Sequence, residues 1–147
     1  MSKHLLLKIV TPEKLIFEEE VEQVTIPTAG GEITVLPTHI PLIGILTSGD
    51  IVAQIDGEHV PFAVSGGFIE VKNIGDQTQV AILADFAEHV GDITEEAIKQ
   101  AEAKAKELQL QAHKKEDVNF EHFASELERS LTRVKIADKW RTRKYRK

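Results

Sequence analysis

A chain of 147 residues, 41% of them apolar and 29% charged, has the size and composition of one globular domain, which argues against a disordered chain or an integral membrane protein. The absence of cysteine removes disulfide scaffolds, thiolate nucleophiles and cysteine-based zinc sites. The net charge of −6 is uneven, at −9 over residues 1–90, −2 over 91–137 and +5 over 138–147, so only the tail has the basic character that a nucleic acid requires.

The first apolar stretch, Leu5 to Val10, is short and interrupted by Lys8, which excludes a secretion signal. No window approaches the roughly 20 continuous apolar residues of a spanning helix, so any membrane association goes through a partner. All nine glycines and all five prolines lie within the first 91 residues. That distribution predicts a β domain, then a helical segment, with the boundary near Gly91.

Apolar residues of the first part recur with a period of two, as in Leu5, Leu7, Ile9; Val24, Ile26; Ile51, Ala53, Ile55; Val60, Phe62, Val64; Ile69, Val71; and Val80, Ile82, Ala84. Each run predicts a strand with one buried face. Asp56-Gly57 supplies the positive-φ pair of a type I′ turn, which makes 50–55 and 58–64 antiparallel neighbours. Many short strands without intervening helices indicate an antiparallel β-sandwich or flattened barrel. The run Glu18-Glu19-Glu20 reads as a solvated turn rather than a cation site, and Gly30-Gly31 and Gly66-Gly67 as turns rather than phosphate loops.

After Gly91, Asp92 or Thr94 caps a first helix whose first turn carries Glu95 and Glu96. Ile98, Ala101, Ala105, Leu108 and Ala112 follow steps of three and four and form one stripe. Asp117 or Asn119 caps a second helix with the stripe Phe120, Ala124, Leu127, Leu131 and Val134. Two stripes joined by a polar turn predict an antiparallel two-helix hairpin over 91–137, followed by a basic tail over 138–147. The fold class is therefore α+β. Alanine-rich contacts hold such a hairpin weakly, which suits a switch.

No Walker A run, dinucleotide fingerprint, HExxH or nucleophile elbow occurs, so no catalytic residue, cofactor site or metal site is assigned. None of the six histidines has a metal-ligand spacing. His39, between Pro37 and Pro41, sits in a rigid loop suited to an interface.

The segments Gly31-Glu32-Ile33-Thr34-Val35-Leu36-Pro37-Thr38-His39-Ile40-Pro41-Leu42, Ser65-Gly66-Gly67-Phe68-Ile69-Glu70-Val71 and Ile82-Leu83-Ala84-Asp85 occur in order. Through them the chain resembles the epsilon subunit of bacterial and plastid F-type ATP synthases. The resemblance implies a non-catalytic rotor subunit of the central stalk, with gamma, the c-ring and the catalytic alpha and beta subunits as partners, no cofactor and no nucleic acid. By motif position, Thr28, Ala29, Gly30, Gly31 and Glu32 would face the ring, and His39, Pro41 and Leu42 would lie near gamma. The helices, through Ile98, Ala101, Ala105, Leu108, Phe120, Leu127, Leu131, Arg129 and Arg133, would inhibit ATP hydrolysis while the β domain couples rotation driven by protons or sodium ions. The expected location is peripheral, on the cytoplasmic face of a bacterial inner membrane, with the plastid stromal face as second choice. The alternative reading is a nucleotide-sensing module whose hairpin closes on ATP. Thr38 stands where the family often has glycine, and the tail from Lys139 extends past the family pattern.

Overall fold

The computed structural model describes residues 3–112 and 120–146, with side chains described outside 111–122. Eight strands come first: β1 Leu5–Val10, β2 Leu15–Val21, β3 Gln23–Thr28, β4 Gly31–Val35, β5 Leu42–Leu46, β6 Gly49–Ile55, β7 Glu58–Ile74 and β8 Gln77–His89. A single 3-10 turn, Val90–Asp92, leads to α1, Glu95–Ala112, and α2, Phe120–Trp140. The predicted order of a β domain and then two helices holds.

The strands follow one hydrogen-bonded path, β2-β1-β8-β7-β5-β3-β4, and β6 closes it by pairing with both β3 and β7. A sheet folded over in this way encloses an apolar core of alternating residues, among them Leu5, Leu7, Ile9, Val24, Ile26, Ile51, Phe62, Ile69 and Ile82, all almost fully buried. The pairings are antiparallel except β1 with β8, which run parallel from Leu5↔Thr78 to Val10↔Leu83. Strands so far apart in sequence cannot form a hairpin, so local alternation carried no signal of this pair. Asp56 and Gly57 have φ of 51° and 77°, as the type I′ turn between β6 and β7 requires.

Two expectations are corrected here. Glu18, Glu19 and Glu20 lie within β2 with exposed side chains rather than in a turn, because β2 pairs with β1 across Lys8↔Glu18 and Leu7↔Glu19. Gly66-Gly67 is not a turn either; it lies inside the 17-residue strand β7. There the strand changes partner from β6 (through Val64) to β5 (from Gly67). At Gly67, with φ 127°, a Cβ would stand 2.0 Å from the Leu83 carbonyl oxygen, so only glycine permits this bend and the close passage over β8.

The Leu36–His39 turn is strained. His39 N–H donates to the Leu36 carbonyl (3.1 Å), and Pro37 then Thr38 occupy the central positions of a type II turn, with Thr38 at φ 72°. Side chains hold it in place: Thr38 N–H donates to Thr78 Oγ1 (2.7 Å), Thr78 Oγ1 donates to Asn73 Oδ1 (2.6 Å), and Asn73 Nδ2 donates to the His39 carbonyl (2.9 Å). A left-handed L-residue costs roughly 1–2 kcal/mol, partly offset in a glycine variant by greater chain entropy when unfolded. Thr38→Gly is therefore expected to stabilise the chain by about 0.5–1 kcal/mol, read as a higher urea midpoint at unchanged slope; an unchanged or lower midpoint would show that the turn stores no strain.

Candidate functional site

Strand β5, Leu42-Ile43-Gly44-Ile45-Leu46, is apolar on both faces. Leu42 and Leu46 turn inward to the core, while Ile43 and Ile45 are 76% and 57% exposed. The same doubling occurs beside it. Ile45 lies directly opposite Phe68 on β7, Phe68 opposite Leu83 on β8, and Leu83 beside Val10 on β1. Phe68 and Leu83 are 60% and 57% exposed, and directly opposed cross-strand residues are in contact range. Ile43, Ile45, Phe68 and Leu83 thus form an apolar band on the outer face of the sheet, and Ile40, in the loop before β5, is 74% exposed. Large contiguous patches of this kind mark interaction surfaces.

The two groups of interface residues named from the sequence flank this band at opposite ends of β5. Thr28 to Glu32 form the tip of the β3–β4 hairpin, with Ala29 to Glu32 exposed. The tip is fastened to the far end of β5 by Ala29 N–H to the Ile45 carbonyl (3.0 Å) and Thr47 N–H to the Pro27 carbonyl (3.1 Å). His39 and Pro41 precede the near end, His39 half-buried with its Nδ1 2.7 Å from the Ile40 carbonyl oxygen. Leu42 is partly buried against the core. A five-residue strand separates the groups by roughly 17 Å at ~3.4 Å per residue. Sequence reasoning missed Ile43, Ile45, Phe68 and Leu83.

The helices pair as an antiparallel hairpin, since Ile98 near the start of α1 clusters with Ile136, Ala137 and Trp140 near the end of α2. Thr94 is the cap, its Oγ1 accepting from Ala97 N–H at 3.0 Å. On α1 the predicted Ile98, Ala101, Ala105 and Leu108 are buried; Ala112, Phe120 and the proposed caps Asp117 and Asn119 fall outside the described side chains. On α2 the predicted stripe needs correction. Leu131 is 46% exposed and Ala124 is exposed, while Leu127 and Val134 are half-buried. The buried residues are instead Phe123, Ser130, Thr132, Ile136, Ala137 and Trp140. At ~100° per residue they cover roughly 200° of the helix, because α2 is wedged between α1 and the β domain.

Arg129 and Arg133 lie within that wide arc. Arg133 makes a bidentate pair with Glu88, Nε to Oε2 at 2.8 Å and Nη2 to Oε1 at 3.2 Å. Arg129 Nη2 donates to the Asp85 carbonyl (3.1 Å) and its guanidinium lies 5.7 Å from the Phe86 ring centre. In the folded hairpin both arginines are committed to β8 rather than available to a phosphate. The boundary at 137/138 is also corrected: α2 continues to Trp140, and the segment after it is docked on the β domain.

His89 joins these parts. Its Nδ1 accepts from Gly91 N–H (2.9 Å), and its ring stacks edge-on against Phe62 at 5.2 Å and tilted against Tyr145 at 6.3 Å. Burial pushes its pKa below the ordinary 6.5; Asp92 and the Arg146 backbone oppose that shift, and the Arg146 charge adds to it. The unfolded chain therefore takes up the proton more readily than the folded one. This stabilising contribution is complete above pH 6.5 and is lost as pH falls from 6.5 through the lower folded value. His89→Asn keeps an acceptor for Gly91 and removes the titration. The difference in thermal midpoint between parent and variant is expected to shift in the variant's favour from pH 7.5 to 5; a constant difference would remove His89 from the pH response.

Residues 4–90 match the family described as ATP synthase, Delta/Epsilon chain, beta-sandwich domain. The ATP synthase epsilon chain of Desulforamulus reducens is 38% identical over 138 residues, covering 94% of this chain and 100% of that one. The epsilon chain of Geobacter sp. strain M21 is 37% identical over 139 residues, covering 95% and 97%. Among solved structures, a chain of the Euglena gracilis mitochondrial ATP synthase (OSCP/F1/c-ring, rotational state 1) superposes with a TM-score of 0.69 at 22% identity, over 90% of this chain and 80% of that one. At that identity the likeness concerns the fold. Among the described residues no helix is long and apolar enough to cross a membrane.

Proposed function

Because the chain belongs to the ATP synthase epsilon-chain family and is a non-catalytic subunit, we propose that its β domain is a two-sided adaptor of the central stalk, docking on the gamma subunit through the outer apolar band and meeting the c-ring through the Thr28–Glu32 tip. One observation carries this reading. The row Ile45–Phe68–Leu83 is uncovered on a sheet whose other face is fully packed, and aliphatic and aromatic side chains in such a row are suited to a hydrophobic partner surface. His39 and Pro41 continue the same surface toward gamma. The separation of tip and loop along β5 lets one rigid domain hold two partners, which is what transmitting rotation from a ring driven by protons or sodium ions demands.

The hairpin is the regulatory part of the reading. It folds on the β domain through polar pairs and a small apolar cluster rather than through the main core, so its release leaves the core intact. An extended hairpin would reach the catalytic head and block ATP hydrolysis. The chain then sits at the membrane only through the ring, on the cytoplasmic face of a bacterial inner membrane. Gel filtration of the full chain with purified gamma subunit tests the docking: a stable one-to-one complex is expected, and separate elution at micromolar concentrations would overturn it.

A further inference from the structure

The tail is not a solvated end. Trp140, the only tryptophan of the chain, is 3% exposed, and its Nε1 donates to Asp50 Oδ2 at 2.8 Å. Lys139 Nζ donates to the same oxygen at 2.8 Å, so a carboxylate that is only 8% exposed receives one cation and one neutral donor from adjacent residues. Beyond Trp140 the chain turns back, with Arg141 N–H to the Asp138 carbonyl and Arg143 N–H to the Trp140 carbonyl, both 3.3 Å. This reversal brings Tyr145 edge-on to Trp140 at 6.0 Å and close to His89. It also lets Arg146 N–H donate to the His59 carbonyl at 2.8 Å, and the His59 ring meets Trp140 at 5.8 Å. Arg143 lies 5.8 Å from the centre of the Trp140 ring.

We infer that residues 139–146 form a latch that fastens the hairpin to the β domain. The tail touches β6 through Asp50, β7 through His59 and the end of β8 through His89, three separate strands. Its links to α1 are Trp140, which shares a small apolar cluster with Ile98, and an exposed pair, Arg141 with Glu95 at 3.7 Å, the latter worth little in water. Ala101 and Ala105 make up half of the buried face of α1, so a hold from outside the contact of α1 with α2 adds to it. Charge favours the same arrangement, since a +5 segment closes on a −9 domain. In the latched state Lys139 is held by the β domain through Asp50, while Arg141 pairs with Glu95 and Asp138 and Arg143 lies over Trp140. Extension of α2 requires Trp140 to leave its seat and Asp50 to lose both donors, so the latch opposes release of the hairpin.

The latch stands on the contacts above; its regulatory consequence rests on the proposed movement of the hairpin. Two variants of the full chain test it, Tyr145→Ala and removal of residues 141–147, both of which keep α2. Hydrogen exchange of 95–110 and 123–140 is expected to quicken about tenfold, with β8 unchanged as the sign of an intact β domain, and the emission of Trp140 to shift to the red. Hairpin exchange at the parent rate in both variants overturns the latch. In the assembled complex the shortened chain should inhibit hydrolysis more strongly than the parent. Faster exchange with unaltered hydrolysis would uphold the latch and sink the regulatory reading of the hairpin.

Discussion

Ile45→Asp or Phe68→Asp is expected to weaken binding to the gamma subunit by about 100-fold or more, equivalent to about 2.7 kcal/mol. Both side chains are more than half exposed in the free chain, so the substitutions expose nothing new and cost the fold little. In a docked band the carboxylate would be stripped of water opposite an apolar surface with no cation to meet it, and that desolvation supplies the loss. Leu110→Asp on α1 is the control, because Leu110 is equally apolar and 62% exposed but lies away from the band. Titration by calorimetry decides the matter: equal affinity for the Phe68 variant and the control would show that gamma is held elsewhere.

The β domain was legible because alternation and turn chemistry act locally. Asp56-Gly57 alone specified the β6–β7 hairpin, and the inward residues of nearly every strand stood out by their period. The exposed apolar band was harder to see for a reason visible in β5, where five consecutive positions carry Leu, Ile, Gly, Ile and Leu. A search for one buried face takes the phase that contains Leu42 and Leu46 and discards the other as noise. Apolar residues in both phases of an antiparallel strand are instead a sign that both faces are meant to be covered. Gly31-Glu32 and His39 stood out through motif resemblance, which marks the ends of the band but not its middle.

On α2 the sequence misled through the opposite omission. Its face toward the β domain is built from Arg129, Arg133 and Lys139, residues that a hydrophobic stripe excludes by definition. Their partners, Asp85, Glu88 and Asp50, lie 44, 45 and 89 positions away in the chain, so no local pattern announces the pairing. The stripe of Ala124, Leu127, Leu131 and Val134 marks only one edge of the buried arc. Trp140 and Tyr145 are aromatics in a basic tail, and their meaning depends on Asp50, His59 and His89, which only the folded β domain brings within reach.

Removal of residues 92–147 is expected to leave the β domain folded and bound to gamma while ATP hydrolysis by the assembled complex rises several-fold. The first half follows from the separation of the two apolar clusters. The main core draws all its buried members from the strands between Leu5 and Ala87, whereas the second cluster joins Ala63 and Val90 to Ile93, Ile98, Ile136, Ala137 and Trp140. Truncation therefore uncovers a small patch and frees Glu88 and Asp50, without opening a cavity in the sandwich. The bidentate Arg133–Glu88 pair is partly exposed on both sides, so its loss costs the β domain about 1 kcal/mol or less. The second half follows from what is removed: without α2 no segment of this chain is long enough to enter the head, whereas its 21 residues extend about 30 Å at ~1.5 Å per residue. Hydrolysis at the parental rate in a complex that retains the truncated chain would dismiss the hairpin as inhibitor, and loss of the truncated chain from the complex would instead show that the helices, not the band, secure docking.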